Sequence, residues 1–286
     1  MPRVLIAGCG YLGQAVADLF LAANWQVEGW TQSAKSAAEC FSGRYPVYGV
    51  DISDSKQVAA QEGEFSMVVH CASTHGGDAD LYRRIYLDGA RNLIDRFAGS
   101  ALLFTSSTSV YAQNAGEWVT ERSLAQPKHE TGKILRKAEE VVLAAGGVIA
   151  RLAGLYGPGR SFLLKRFLSG AAITPEDNRF ANQIHRDDAA TAFFFLADRP
   201  SDTGAIYNVV DNEPILRSEC YQWLAQELNR PIFSTRGSIA RAASKRKRGE
   251  NSKRVSNAKL RARGWIPRYP SFAEGMTKSV LPSFGL

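Results

Sequence analysis

The chain's 286 residues are 45% hydrophobic and 22% charged, the balance of an ordinary globular protein with length for one large domain or two unequal ones. No apolar stretch reaches the ~20 residues a bilayer span needs, the start carries no signal-peptide pattern, and the four cysteines, Cys9, Cys40, Cys71 and Cys220, form no C-x-x-C pair. These features exclude a membrane span, a disulfide framework and a zinc site, and a cytoplasmic protein is expected. The net charge of +7 is local: twelve Lys or Arg against the single acid Glu250 lie between Arg236 and Arg268, and the remainder is net negative.

The apolar run Val4-Leu5-Ile6-Ala7 predicts a buried parallel strand. Gly8-Cys9-Gly10-Tyr11-Leu12-Gly13 follows at once, and Val16, Leu19 and Phe20 then recur at helical spacing. Strand, tight turn and helix is the setting in which G-x-G-x-x-G binds a dinucleotide. Gly8 permits the turn, Gly10 lets the backbone approach a pyrophosphate, and Gly13 lets the helix pack close to the strand. The N–H groups that open the helix, at Tyr11 and Leu12, then face the anion.

Further strands are predicted at 26–30, 67–71, 102–105 and 148–152, alternating with helices that include 79–98 and 130–145, the latter stopped by Gly146-Gly147. This alternation predicts an α/β fold with a doubly wound parallel (Rossmann) sheet. Beyond Leu152 it fades. Residues 154–159 read as a loop, 162–168, 187–197, 218–228 and 253–263 as helices, and 205–210 as a strand. The expected organisation is a dinucleotide-binding domain over 1–153, to which 183–210 return, with 154–182 and 211–286 forming a smaller substrate-binding region.

Other signatures fall in order along the chain. Asp51-Ile52 follows a short strand and offers a carboxylate to an adenine amino group. Cys71-Ala72-Ser73 closes the strand at 67–71 with small residues against which a cofactor can lie. Thr105-Ser106-Ser107-Thr108-Ser109-Val110-Tyr111 sets hydroxyls at the carboxyl edge of the sheet, where such folds bind ligands. Together with Arg151-Leu152-Ala153-Gly154-Leu155-Tyr156-Gly157-Pro158-Gly159 and Ile184-His185-Arg186-Asp187-Asp188, this set resembles the extended short-chain dehydrogenase/reductase superfamily, in particular its NAD-dependent epimerase/dehydratase family. Residues 253–260 and Gly264-Trp265-Ile266-Pro267 resemble the C-terminal end of that family's atypical branch.

The resemblance implies an enzyme that exchanges hydride between NAD(P) and a sugar nucleotide or related hydroxyl or keto compound. A Tyr-x-x-x-Lys dyad would exchange the proton while a Ser holds the substrate oxygen. Ser107 matches that Ser. The implied partners are a small-molecule substrate, phosphorylated or nucleotide-linked, and a second copy of the chain paired through helices 79–98 and 130–145.

Two departures stand out. With Glu139 aligned to the acid usual in its helix, Thr131 and Leu135 occupy the Tyr and Lys positions, and a shift of one residue gives Gly132 and Arg136. None of the ten tyrosines has a Lys four residues on. Thr131 can orient a group but cannot ionise near neutral pH. Of the titratable residues nearby, Lys133 reads as a solvated helix residue, Tyr111 and Tyr156 as packing rings and His185 as a structural histidine; His129 completes the set. The missing dyad leaves a non-catalytic cofactor-binding regulator or scaffold as the alternative to an enzyme.

The second departure concerns the ribose. About 18 to 20 residues after Gly13, where the fingerprint carries an acid for the ribose hydroxyls, stand Trp30, Thr31, Gln32 and Ser33, and Glu28 comes too early. Thr31, Ser33 and Lys35 can accept a 2′-phosphate instead, so NADP is expected over NAD. The basic run Lys245-Arg246-Lys247-Arg248 offers a nucleic acid charge alone, with no ring between Phe233 and Trp265 for base stacking. A wall for substrate phosphates or a solvated loop suits it better, and neither a nucleic-acid partner nor a metal is expected.

Overall fold

The computed structural model describes residues 1–74, 76–171, 178–198, 203–232 and 251–286; the basic run at 245–248 lies outside them. In chain order the first part runs β1 (Arg3–Ala7), α1 (Tyr11–Ala22), β2 (Gln26–Thr31), α2 (Ala34–Cys40), β3 (Val47–Gly49), α3 (Ser55–Ala59), β4 (Met67–His70), α4 (Ala79–Tyr82), α5 (Gly89–Arg96), β5 (Ala101–Ser107), β6 (Trp118–Val119), α6 (Glu130–Ala144) and β7 (Val148–Leu152). It continues through β8 (Gly154–Tyr156), α7 (Phe162–Leu168), β9 (Phe180–Ala181), β10 (Gln183–His185), α8 (Arg186–Ala197), β11 (Ile206–Val209), β12 (Ile215–Leu216), α9 (Arg217–Glu227) and β13 (Arg254–Val255).

Among the described residues, seven parallel strands make the central sheet in the order β11-β7-β5-β4-β1-β2-β3. Both faces are covered, which is why β1 reads as an unbroken apolar run. Val4 and Ile6 pack with Val16 and Phe20 of α1, whereas Leu5 and Ala7 pack with Trp30, Val68, Leu93 and Phe97 in a separate cluster. Each buried Val, Leu, Ile or Phe among these contributes about 1.5–3 kcal/mol relative to exposure. A further buried cluster is built on Tyr156, Leu163, Phe167, Tyr221, Leu224, Phe272 and Met276. No helix among the described residues is long and apolar enough to cross a membrane.

Three elements differ from the sequence expectation. The helix predicted at 79–98 ends at Arg96 and contains a wider π turn over Arg83–Asp88. Buried His70 explains the widening: its Nε2 lies 3.0 Å from the Ile85 carbonyl, drawing that oxygen out of the helical ladder. Residues 154–156, expected as loop, form β8 because β10 lies beside them as a parallel partner. The helix predicted over 253–263 is instead β13 followed by a short helix, Ala258–Ala262. Between the two, Asn257 Nδ2 donates to the carbonyls of Val210 and Asp211 and to Asn212 Oδ1, fixing a bend that a continuous helix would not allow.

Candidate active site

β1 and β4 end side by side where the strand order reverses, so the loops after them open the crevice in which such sheets bind ligands. Gly8 adopts φ +103°, and a Cβ there would come within 2.2 Å of Ala72 N. The turn thus needs glycine both for its left-handed backbone and for its contact with the β4 end. Gly8 and Cys9 donate their N–H groups to the Trp30 carbonyl at 3.0 and 2.8 Å, and Cys71 N donates to Ala7 O at 2.7 Å. A Cβ on Gly13 would lie 2.3 Å from Gly8 O, so the helix closes directly on the turn.

Gly10 is different. A Cβ on it would meet nothing within 4 Å, and it opens α1 without a side-chain cap. The positive end of a twelve-residue helix, beginning with Tyr11 and Leu12, is therefore left open beside a glycine that adds no bulk. A diphosphate fits the donor set and the space. Burial pushes the Cys71 thiol up to about 12 and the Cys9 thiol to about 11, so both are neutral packing groups. Ala72 and exposed Ser73 continue the floor of the crevice.

At the end of β2, Thr31 is nearly buried and donates to the Ser33 carbonyl, while Ser33 caps α2 in a reciprocal box with Ser36. Lys35 stands exposed beside them. Glu28 accepts from Trp30 Nε1 at 2.8 Å and pairs with Arg3 at 3.4 Å, so its carboxylate is engaged away from the strand end. Asp51 Oδ1 accepts from Ser53 N and Oγ at 2.9 and 2.7 Å, with Arg84 3.6 Å from its other oxygen. The Ile52 side chain is in the core, which leaves only its backbone for a ligand. Beside the turn, the guanidiniums of Arg160 and Arg186 lie 5.2 and 5.1 Å from the centre of the Tyr11 ring, whose hydroxyl donates to Pro158 O at 3.1 Å. The sequence reading missed these two cations, which reach the Tyr11 ring from the loop after β8 and from the start of α8.

At the other end of the crevice, Ser106 and Ser107 face opposite ways, as strand neighbours must. Ser106 donates to Glu139 in the interior, and half-buried Ser107 accepts from Ser109 N at 3.1 Å. Buried Glu139 also binds Arg151 through Nε at 3.0 Å and Nη2 at 2.7 Å, and pairs with Arg136. Arg151 donates to the Tyr111 hydroxyl at 2.9 Å, and that hydroxyl donates to Asn208 Oδ1 at 2.8 Å. Burial pushes the Tyr111 hydroxyl pKa up, despite the nearby Arg151 charge.

Thr131 lies half-buried in the first turn of α6, and Leu135 is buried in the main core. Lys133 is exposed and pairs with Glu130 at 3.6 Å; His129 is exposed at the start of the same helix. Tyr156 is fully buried and donates weakly to Ser271 O, with its pKa pushed up by burial. His185, also fully buried, meets Ser279 Oγ at 3.0 Å and accepts from Asp187 N, and burial pulls its pKa down to about 4. Tyr156 and His185 are thus enclosed by protein, whereas Tyr111, expected as a packing ring, is tied through its hydroxyl to Arg151 and Asn208. Among the described residues, no group of three or more His, Cys, Asp or Glu is placed to hold a metal.

A parallel sheet with its order reversed at β1 and a glycine turn at that point define a dinucleotide-binding protein of the Rossmann fold. More particularly, the chain belongs to the NAD dependent epimerase/dehydratase family, whose sequence profile matches residues 4–209. It is 30% identical over 246 residues to Protein YeeZ of Escherichia coli K12, covering 80% of this chain and 84% of that one. It is similar to a Methylobacillus flagellatus structure held to be an NAD-dependent epimerase/dehydratase, at 28% identity and a TM-score of 0.77 over 100% and 99% of the two chains. The Thermus thermophilus UDP-glucose 4-epimerase complex with NAD shares the fold, at 23% identity and a TM-score of 0.83 over 99% of each chain.

Proposed function

We propose that this protein is an oxidoreductase of the epimerase/dehydratase kind that uses NAD(P), with NADP preferred, on a hydroxyl or keto carbon of a small phosphorylated or nucleotide-linked compound. The observation that carries the reading is the open helix end at Gly10, framed by the close contacts of Gly8 and Gly13. When bound, the nicotinamide supplies or takes the hydride. Tyr11, Leu12 and Gly13 would give helix N–H groups to the pyrophosphate, and Arg160 and Arg186 would add positive charge above it. Thr31, Ser33 and Lys35 would face the 2′-phosphate, Asp51 and the Ile52 backbone the adenine, and Cys71, Ala72 and Ser73 the cofactor's underside.

Ser107, at the carboxyl edge, would donate a hydrogen bond to the reacting oxygen, and Thr131 would orient the substrate across from it. Residues 154–182 and 211–286 are taken as the substrate region, and the helical runs at 79–96 and 130–144 as the faces through which two copies pair. No proton transfer is assigned to Tyr111, whose hydroxyl is committed to Arg151 and Asn208.

Calorimetric titration of the full chain with NADPH and NADH tests the cofactor. Binding of NADPH about tenfold tighter, or ~1.4 kcal/mol, is expected, and binding of neither refutes the reading. Oxidation of NADPH by a panel of keto sugars, lost in Ser107→Ala, separates an enzyme from a non-catalytic binder.

A further inference from the structure

Lys253 is 6% exposed and lies immediately before β13, in a segment splinted between two parts of the molecule. On one side, Asn251 Nδ2 donates to the Tyr111 carbonyl at 2.8 Å, Ser252 N to Asn114 Oδ1 at 2.9 Å and Arg254 N to the Glu117 carbonyl at 2.9 Å. All three acceptors belong to the loop that leaves Ser107. On the other side, Asn182 Nδ2 donates to the Lys253 carbonyl at 2.9 Å and Asn182 Oδ1 accepts from Val255 N at 2.7 Å. The segment is extended, so its side chains alternate. Arg254 turns outward over the rings of Trp118 and Phe180, 5.2 Å from each, while Lys253 and Val255 are buried. The lysine therefore turns inward between the loop after β5 and the β9–β10 connection, at the carboxyl edge of the sheet.

Other buried charges here have partners. Glu139 holds Arg151, and Asp188 accepts the backbone N–H groups of Arg268 and Tyr269 at 2.7 and 2.8 Å. The Lys253 amine makes no hydrogen bond or ion pair with any described residue. Glu117 pulls on it electrostatically without pairing, and burial brings its pKa down to about 8. Its stem is buried, but the amine is not among the fully enclosed polar atoms that lack a partner, so the charge stays within reach of solvent and of an anion that enters there.

We propose that Lys253 is a substrate-recognition residue whose ammonium holds an anionic oxygen, of a phosphate or a carboxylate, on the compound that enters the crevice. The proposal rests on the oxidoreductase reading above and names the side chain that holds the substrate's anionic group. It also gives the C-terminal segment a part in specificity, since the cation arrives only when 251–255 is splinted against the loop after Ser107.

The test is calorimetric titration of the full chain, first with NADPH and then, as the NADPH complex, with glucose 6-phosphate, glucuronate and glucose. NADPH binding in the first step examines the oxidoreductase reading by itself. In the second, one of the charged probes is expected to bind at least about tenfold more tightly than glucose, and which one does so separates phosphate from carboxylate recognition. Lys253→Met should abolish that preference with NADPH affinity unchanged, and Lys253→Arg should keep most of it. Charged probes that bind no better than glucose, or a preference that survives in Lys253→Met, overturn the proposal. Thermal unfolding gives an independent check: methionine keeps the buried apolar stem and removes only an unpaired charge, so the Met variant should be as stable as the parent. A Met variant that is markedly less stable or fails to fold would mean the protein itself compensates the ammonium, and overturns the proposal as well.

Discussion

The two ends of the crevice are made of different materials. At the glycine turn the determinants are backbone: a positive φ at Gly8, an uncapped helix end at Gly10 and a helix pressed against the turn at Gly13. At the β5–α6 end, ionisable side chains are present but already engaged. Glu139, Arg151, Tyr111 and Asn208 bind one another, and Leu135 of α6 is packed into the core. An anion cradle can be specified by glycine spacing alone, whereas a proton relay needs particular side chains with free hydrogen-bonding capacity.

Substitutions can break this contrast. The largest effect is expected from Gly8→Ala, whose methyl group would strike Ala72 N in an already unfavourable backbone region. About 2–4 kcal/mol of stability and about a hundredfold or more in NADPH affinity should be lost, read by chemical denaturation and fluorescence titration. Gly10→Ala is its control. The site is open, so stability should hold within ~0.5 kcal/mol while NADPH affinity still falls; equal damage to the fold from both variants would erase the distinction between turn and cradle.

At the other end, Glu139→Gln leaves Arg151 buried beside a neutral partner. About 3–5 kcal/mol should be lost in denaturant unfolding, with NADPH affinity in the surviving folded fraction little changed. A loss of cofactor binding as large as that of Gly8→Ala would show the two ends to be coupled.

His185 sharpens the same point through pH. Its folded pKa, pulled down to about 4 by burial, lies below the unfolded value of about 6.5. The unfolded chain therefore takes up the proton first. The stability this histidine contributes is present above about pH 6.5 and is lost as pH falls toward 4, by about 3 kcal/mol. His185→Asn should flatten that part of the stability–pH curve; an unchanged acid limb would mean His185 is not buried neutral.

Smaller effects are expected at the proposed substrate contacts. Ser107→Ala should lower keto-sugar reduction about 10- to 100-fold and cost at most about 1 kcal/mol of stability through its lost turn cap. Thr131→Ala should cost about threefold in turnover, or ~0.7 kcal/mol, with melting temperature nearly unchanged.

Much of the cofactor end was legible because its signals are local. The strand at Val4–Ala7, the glycines and the helix after them lie within some twenty consecutive residues, and their burial follows from periodicity. The π turn at Arg83–Asp88 was not legible, since its cause, His70, lies on a different strand. Nor was β13: Val255 pairs there because β6 is alongside, and Asn257 then bends the chain by reaching residues 45 to 47 positions away.

The sequence by itself determined the doubly wound class, the glycine turn, the absence of a Tyr-x-x-x-Lys dyad and the lack of a ribose acid after β2, because each is a matter of residue type at short spacing. Only the tertiary structure decided which charged groups are satisfied. Whether Tyr111 is free to move a proton depends on Arg151 and Asn208, 40 and 97 residues away. Whether Lys253 has a counter-charge depends on which loops enclose it. Burial and pairing are sums over neighbours that the fold assembles, and no local pattern encodes them.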